Sequence, residues 1–269
     1  MRIPHLTASL HHLVRMALRR VDTDVAAPDF QLQEADESLL DNPILHALLS
    51  DHRLLAQIDG QARRYPAEIG PLAGIPEQSQ PNYDSLRTLA GSGGLLGLFL
   101  NDEPALPEGW ALFRGGTLTQ MICRGLELAE TQVSTHEFPE ATMLRRLVAP
   151  DVPAMLELAR LTEPGPFRER TIELGNFYGI FEGERLMAMA GQRTRVPGFV
   201  EVSAVCTHPD ARGRGYGGRL MREVMRDIFA EQRSPYLHAF ADNPAVRLYR
   251  SLGFTQRRTF HLAIIKNEK

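Results

Sequence analysis

A strand, a loop rich in glycine and arginine, and a helix follow one another after Phe199, and this succession constrains the fold more than any other part of the sequence. The apolar run Phe199–Cys206 predicts a strand. The loop Arg212-Gly213-Arg214-Gly215-Tyr216-Gly217 follows, and a helical apolar pattern then runs over Gly217–Ala230. Glycines let backbone N–H groups approach a ligand, and the positive end of the helix dipole points at it. The pattern therefore predicts a site for an anion such as a pyrophosphate.

The elements around this loop are predicted in the order strand, two helices, three strands, helix, strand, helix, strand. The first strand is Met143–Val148, and a helix starting at Asp151 follows it. The remaining segments are a hairpin of Phe177–Phe181 and Leu186–Arg193, the strand Tyr236–Phe240, the helix Asn243–Leu252 and the strand Phe260–Ile265. This order predicts an α/β fold of the α+β type.

The N-terminal half carries a separate set of patterns. A helix is predicted after a cap at Asp41 or Asn42, and the glycines at 91–94 are interpreted as a turn. The other predicted elements are the short helix Ser85–Ala90 and the strands Leu95–Leu100, Trp110–Phe113 and Thr117–Ile122. The polar stretch Thr131–Pro139 reads as a linker, which predicts an N-terminal α/β domain at residues 1–135 and a second domain at residues 140–269.

The glycine loop alone is a short motif, and a second block of residues further along the chain makes the pattern specific. About 30 residues after the glycine loop stand Asn243, Tyr249, Gly253 and Phe254 in one helix-forming stretch. Together the two blocks, over residues 142–269, resemble the GNAT superfamily of N-acetyltransferases, although Ala245 is one position out of the family pattern. The resemblance implies a GNAT fold, with a mixed and mostly antiparallel central sheet flanked by helices. The N-terminal half is interpreted as a possible degenerate GNAT-like copy.

The resemblance also implies the chemistry. Acetyl-CoA would be the acyl donor, an amine would attack the thioester directly, and no metal would be needed. Glu201 is the predicted base, with a water relay as the alternative, and strand alternation places it on one face with Ser203 and Val205. Tyr249 is the predicted acid. The predicted acetyl-CoA-binding residues are Val205, Cys206 and Thr207 through their backbone, then Arg212, Gly213, Arg214, Gly215, Tyr216, Gly217 and Gly218, and Asn243.

Alternatives remain open at several of these positions. The alternative for Glu201 is a solvated carboxylate at a strand end, for Tyr249 a core aromatic residue, and for Asn243 a helix cap. The alternative for the whole C-terminal half is a non-catalytic acetyl-CoA-binding regulatory module. The acceptor is expected to be a small-molecule amine, an amino acid or a protein amine, and the protein a monomer or homodimer.

Composition excludes other classes. The net charge of −3 and the pI near 6.3 lack the basic excess of nucleic-acid-binding proteins. The two cysteines, Cys123 and Cys206, favour neither a disulfide framework nor a zinc site. The basic, amphipathic stretch Met1–Val21 is interpreted as an ordinary helix, with a transit peptide or membrane-surface helix as alternatives. A soluble, cytoplasmic protein is expected.

Overall fold

The computed structural model describes residues 35–125 and 142–269. Residues 32–269 belong to one compact unit. The predicted boundary at residues 135–140 lies outside the described residues and stays a prediction, as does the interpretation of Met1–Val21. In the described part of the chain, no helix is long and apolar enough to cross a membrane.

An eight-stranded sheet forms the centre of this unit. The strands are β4 (Leu95–Leu100), β5 (Trp110–Ile122), β6 (Thr142–Arg146), β7 (Phe177–Glu182), β8 (Arg185–Val196), β9 (Phe199–Thr207), β10 (Ser234–Phe240) and β11 (Thr255–Asn267). Their order in the sheet is β4-β11-β5-β10-β9-β8-β7-β6. The pairing is antiparallel except between β9 and β10, which run parallel. The predicted mixed, mostly antiparallel sheet is confirmed, and strands from both halves of the chain share it.

Helices cover this sheet on both faces. They are α1 (Pro43–Leu49), α2 (Gln80–Ala90), α3 (Val152–Thr162), α4 (Tyr216–Ala230) and α5 (Val246–Ser251). Asn42 caps α1, its Oδ1 accepting from Leu45 N at 3.4 Å, as one of the two predicted caps. A small antiparallel sheet of β1 (Gln57–Asp59), β2 (Ala62–Arg64) and β3 (Ala73–Gly74) adds to the N-terminal half.

The strands Trp110–Phe113 and Thr117–Ile122 were predicted separately, and this was wrong, since β5 is continuous. Arg114, Gly115 and Gly116 carry the ladder through, because they pair with Ile264, Ala263 and Leu262 of β11. A neighbouring strand of matching length thus keeps the weak β-formers extended.

Two core clusters lie on opposite faces of the sheet near β9. One packs α4 and α5 against Val200 and Val202. The other packs α3 against Ala204 and Cys206. The candidate site described below lies where β9 passes between these clusters.

Candidate functional site

The glycine loop joins β9 to α4 in the way that the sequence predicts. Gly213 and Gly215 have φ angles of 77° and 79°, a left-handed conformation that side chains other than glycine rarely adopt. Gly215 is the N-cap of α4, and among the described residues no side chain caps the first N–H groups of this helix. The N–H groups of Gly217 and Gly218 and the positive end of the helix dipole therefore lie at this loop, where an anion can meet them.

Two of the three large side chains of the loop, those of Arg214 and Tyr216, are tied to Glu182 of β7. The Tyr216 side chain is buried, and its hydroxyl donates to Glu182 Oε1 at 2.5 Å. Arg214 donates to the same oxygen at 2.9 Å and to the Asp210 carbonyl at 2.7 Å. Arg212 is exposed and forms no ion pair among the described residues. Of these predicted cofactor residues, Tyr216 could therefore contribute only its backbone, whereas Arg212 offers a free charge.

The small residues at the start of α4 face β9 and α5. A Cβ atom at Gly217 would lie 3.8–4.0 Å from Leu248, Thr207 and Val205, which is ordinary contact. A Cβ atom at Gly218 would lie 3.3 Å from Leu248, which is tight. Gly218 thus lets α5 approach α4 closely, beside the loop.

β9 and β10 separate beside the loop. Their ladder joins Phe199 to Ser234, Val200 to Pro235 and Glu201 to Tyr236, and it ends there. Residues 202–207 of β9 continue without a partner in β10. Among the described residues, no other strand pairs with this edge of β9, which leads directly to the glycine loop.

A β-bulge lies on this free segment of β9. Ala204 has a φ angle of 52°, and the register with β8 shifts between the pairs Met189–Cys206 and Gly191–Ser203. Beyond the bulge, the side chain of Val205 lies on the α4 side, close to Gly217. The predicted sharing of one face by Glu201, Ser203 and Val205 is therefore wrong for Val205, because the extra residue reverses the alternation.

Glu201 lies at the point of separation and is fully buried. Arg193 donates to both of its oxygens, from Nη2 to Oε1 at 2.5 Å and from Nε to Oε2 at 2.9 Å. Thr194 Oγ1 donates to Oε2 at 2.5 Å and also contacts the Tyr236 hydroxyl. Burial alone would raise the pKa of Glu201, but Arg193 and His238 outweigh it, so this pKa lies well below its usual range.

The neighbouring His238 has a defined tautomer. Gln120 Oε1 accepts from Arg257 at 2.9 Å, so its amide nitrogen is the group that donates to the Leu40 carbonyl and lies 3.1 Å from His238 Nε2. His238 Nε2 is then the acceptor, and Nδ1–H donates to Glu201 Oε1 at 2.8 Å. Burial lowers the pKa of His238, which keeps the ring neutral.

These contacts bear on the predicted base. A carboxylate with a low pKa and several donors around it accepts a proton poorly. The base role of Glu201 stays a prediction, and its surroundings favour the water relay. Sequence reasoning missed Arg193 and His238 because they lie on different strands, although both are polar residues within predicted strands and could have been flagged.

Tyr249, the predicted acid, lies on the opposite face of the sheet from Glu201. It packs with the α4-side cluster, and its ring centroid is 6.4 Å from that of Phe254. Burial raises the pKa of Tyr249 to about 12, so the hydroxyl stays protonated near neutral pH. Tyr249 therefore carries a protonated hydroxyl on the α4 side of the sheet, opposite the face that carries Glu201.

Asn243 and Cys206, two further residues predicted to bind acetyl-CoA, differ in their surroundings. Asn243 Oδ1 accepts from Ala245 N at 2.9 Å, an Asx turn just before α5, whose N-cap residue is Ala245 and not Asn243. Cys206 is buried, and burial raises the pKa of its thiol to about 11, so only its backbone is suited to ligand binding.

A small pocket opens on the Glu201 side of the gap between β9 and β10. The space in the pocket and at its mouth, open solvent included, is about 250 Å³, and its interior has room for about one water molecule or one carbonyl oxygen. Its apolar wall consists of Pro164, Pro166, Phe167 and Phe177, and its polar wall includes Arg193, Thr171 and Ser203. In the described ranges, no group of three or more His, Cys, Asp or Glu side chains could hold a metal ion.

Comparisons with known proteins agree with this geometry. Residues 177–262 match a family described as FR47-like protein. A solved structure from Novosphingobium aromaticivorans DSM 12444, described as an acetyltransferase from the GNAT family, is 36% identical and superposes with a TM-score of 0.74 over 86% of this chain and 99% of that one. A GCN5-related N-acetyltransferase from Kribbella flavida, 16% identical, shares the fold with a TM-score of 0.55 over 81% and 95% of the two chains.

A curated relative is an uncharacterized protein of Mycobacterium leprae (strain TN). It is 37% identical over 99 residues, which are 34% of this chain. The match spans only 27% of that relative's length, so it says nothing about the rest of that protein.

Proposed function

The chain belongs to the GNAT family of acetyltransferases, and on that premise we propose that it transfers an acetyl group from acetyl-CoA to a primary amine. The observation that carries this proposal is the free edge of β9, which starts after the last β9–β10 pair at Glu201 and Tyr236 and leads into the uncapped start of α4. An extended chain can pair with such an edge as an added strand. The pantetheine arm of acetyl-CoA would be such a chain, and the pyrophosphate at its end would then reach the N-terminus of α4.

The residues present fit acetyl-CoA. Gly213 has open space where a side chain would stand, so a ligand can approach its backbone. The pyrophosphate would be held by Arg212, by Gly213 and Gly215, and by the N–H groups of Tyr216, Gly217 and Gly218. The pantetheine arm would be held by the backbone of Val205, Cys206 and Thr207, with Asn243 nearby. When bound, this donor supplies an activated acetyl group.

The residues at the gap would then assist a direct attack. The amine nitrogen forms a bond to the acetyl carbon while the carbon–sulfur bond breaks. Tyr249, protonated near neutral pH, would donate its proton to the leaving sulfur. Water would carry away the proton of the amine, and Glu201 would hold Arg193 and His238 in place beside the pocket.

The N-terminal half completes this arrangement. Gln120 of β5 donates to His238 Nε2 and to the Leu40 carbonyl, which holds the Gln120 amide in place. β5 also pairs with β10 along Leu118–Ile122. We propose that this half shapes the acceptor side of the site, whether or not it descends from a second GNAT copy. The acceptor would be a small-molecule amine, an amino acid or a protein amine, met in the cytoplasm by a monomer or a homodimer.

A matched pair of glycine variants tests the donor site. Gly213→Ala and Gly93→Ala both place a methyl group in open space at a positive φ angle, 77° and 69° respectively, so both variants introduce backbone strain. Only Gly213 belongs to the loop. Isothermal titration with acetyl-CoA should therefore show at least tenfold weaker binding for Gly213→Ala than for Gly93→Ala.

Turnover decides between the enzyme and the regulatory module. Release of CoA, followed with a thiol reagent over a panel of amines, is expected for the wild-type protein. Equal acetyl-CoA binding by the two glycine variants would contradict the donor site. Tight binding of acetyl-CoA without CoA release for any amine would instead favour the non-catalytic module.

A further inference from the structure

Arg193 offers one edge to the pocket beside the gap. Its Nε and Nη2 atoms donate to Glu201, and its guanidinium lies over the Phe99 ring at 5.8 Å. Within the described residues, Nη1 donates to no protein acceptor, and the side chain is 13% exposed where it lines the pocket. The guanidinium is therefore held rigidly with one donor pair left for a ligand.

The pocket has a second donor. The Ser203 hydroxyl makes no hydrogen bond to the described residues, and Ser203 lines the same pocket. The other hydroxyl, on Thr171, is already used, because it accepts from Arg168 N and donates to the Ile69 carbonyl, each at 2.7 Å. Arg193 Nη1 can only donate, and the Ser203 hydroxyl can donate beside it, so together they favour an acceptor atom in the ligand.

Charge decides the kind of acceptor atom. Glu201 already balances Arg193, and His238 is neutral because it is buried and its Nε2 accepts from the Gln120 amide. Arg193 is the only charged residue among the described ones that line the pocket. A carboxylate entering here would therefore be a buried anion without a cation of its own, which is costly. A neutral carbonyl oxygen could accept from Arg193 Nη1 and Ser203 without that cost.

We infer that the acceptor is an amine with a neutral carbonyl group next to it and a small apolar side chain, as in an amino-acid amide or a peptide amino terminus. The carbonyl oxygen would accept from Arg193 and Ser203, and the apolar group would pack on Phe167, which is partly exposed. This inference rests on the proposed function for the reaction, but the selectivity of the pocket can be measured without turnover. Glu201 is then a positioning residue that fixes the donor edge of Arg193.

Three ligands of similar size test the inference: leucinamide, leucine, and isoamylamine, which lacks the carbonyl group. Isothermal titration of each in the presence of CoA measures binding without reaction. For the wild-type protein, leucinamide should bind about tenfold or more tightly than the other two, because one hydrogen bond from a charged donor is at stake. Arg193→Lys keeps the charge opposite Glu201 but removes the second donor edge, and it should reduce this preference to less than threefold.

Arg195→Lys is the matched control. Arg195 lies on the same strand and pairs with Glu231 and Gln192, away from the pocket lining, so its replacement should leave the preference unchanged. Should Arg193→Lys fail to fold by circular dichroism, Ser203→Ala takes its place with the same expected direction. The wild-type comparison of the three ligands decides the matter in either case.

The outcomes separate this inference from the proposed function. Isoamylamine binding as tightly as leucinamide, leucine binding more tightly, or no binding of any of the three would overturn the inference. If CoA is still released with other amines, the proposed function stands in those cases. A clear preference for leucinamide without any CoA release would support the ligand class and refute the acetyl transfer.

Discussion

Replacement of Glu201 by glutamine tests the centre of the buried network. The change keeps the size and shape of the side chain but removes its charge. Each carboxylate oxygen accepts from at least two donors, Oε1 from Arg193 and His238 and Oε2 from Arg193 and Thr194. An amide NH₂ group therefore meets donors in either orientation.

The size of the effect follows from burial. Removing one partner of a buried ion pair costs about 3–5 kcal/mol, because the other charge remains without compensation. Glu201 is 0% exposed and Arg193 is nearly buried, so we expect a loss near this range. His238 cannot rescue the contact by changing its tautomer, since Nε2–H would then face the amide nitrogen of Gln120.

Glu173→Gln is the control. Glu173 accepts from Arg170 Nε at 2.6 Å and from Nη2 at 2.8 Å, the same paired geometry on the protein surface. Urea unfolding at pH 7 should show a much smaller change in the free energy of unfolding for Glu173→Gln than for Glu201→Gln. Similar stabilities of the two variants would refute the argument that the network is tightly coupled.

The pH dependence of turnover separates positioning from base catalysis. A positioning role predicts that Glu201→Gln lowers kcat/KM by a similar factor across the pH range, because the low pKa of Glu201 lies outside it. Loss of an acidic limb from the profile, with the fold intact, would contradict this role and restore Glu201 as the base.

Two further predictions concern other titrating groups. Burial lowers the pKa of His52 from 6.5 to about 4, so the unfolded chain takes up a proton in this window before the folded protein does. The free energy of unfolding should therefore fall as pH drops from 6.5 to 4, by up to about 3 kcal/mol from this residue. Urea titrations at several pH values should show a weaker dependence of this free energy on pH for His52→Gln than for the wild-type protein. The same pH dependence in both proteins would refute the assignment. Tyr249→Phe should lower kcat about tenfold or more with little change in acetyl-CoA affinity. Tyr83→Phe, another buried tyrosine with a pKa of about 12, should leave kcat unchanged, and weaker acetyl-CoA binding with normal kcat in Tyr249→Phe would reject the acid role.

The local patterns predicted most of the strands and helices correctly. The strand before the glycine loop, the loop itself and α4 were evident because their signals are local: an apolar run, glycines at fixed positions and a helical period. The single strand β5 was missed for the opposite reason. Its glycine-containing middle is kept extended by β11, a partner about 140 residues later in the chain.

In the candidate site, too, some features follow from neighbouring residues in the sequence and others only from the tertiary structure. The sequence by itself determined the glycine loop after β9, the helix that starts there, and the family to which they point, because neighbouring residues form that site. Only the tertiary structure decided that Glu201 is locked between Arg193 and His238 and that the bulge at Ala204 turns Val205 to the other face. Burial, tautomer and charge balance depend on strands and helices distant in sequence, including Gln120 and Leu40 of the N-terminal half, and no local pattern records how these approach one another.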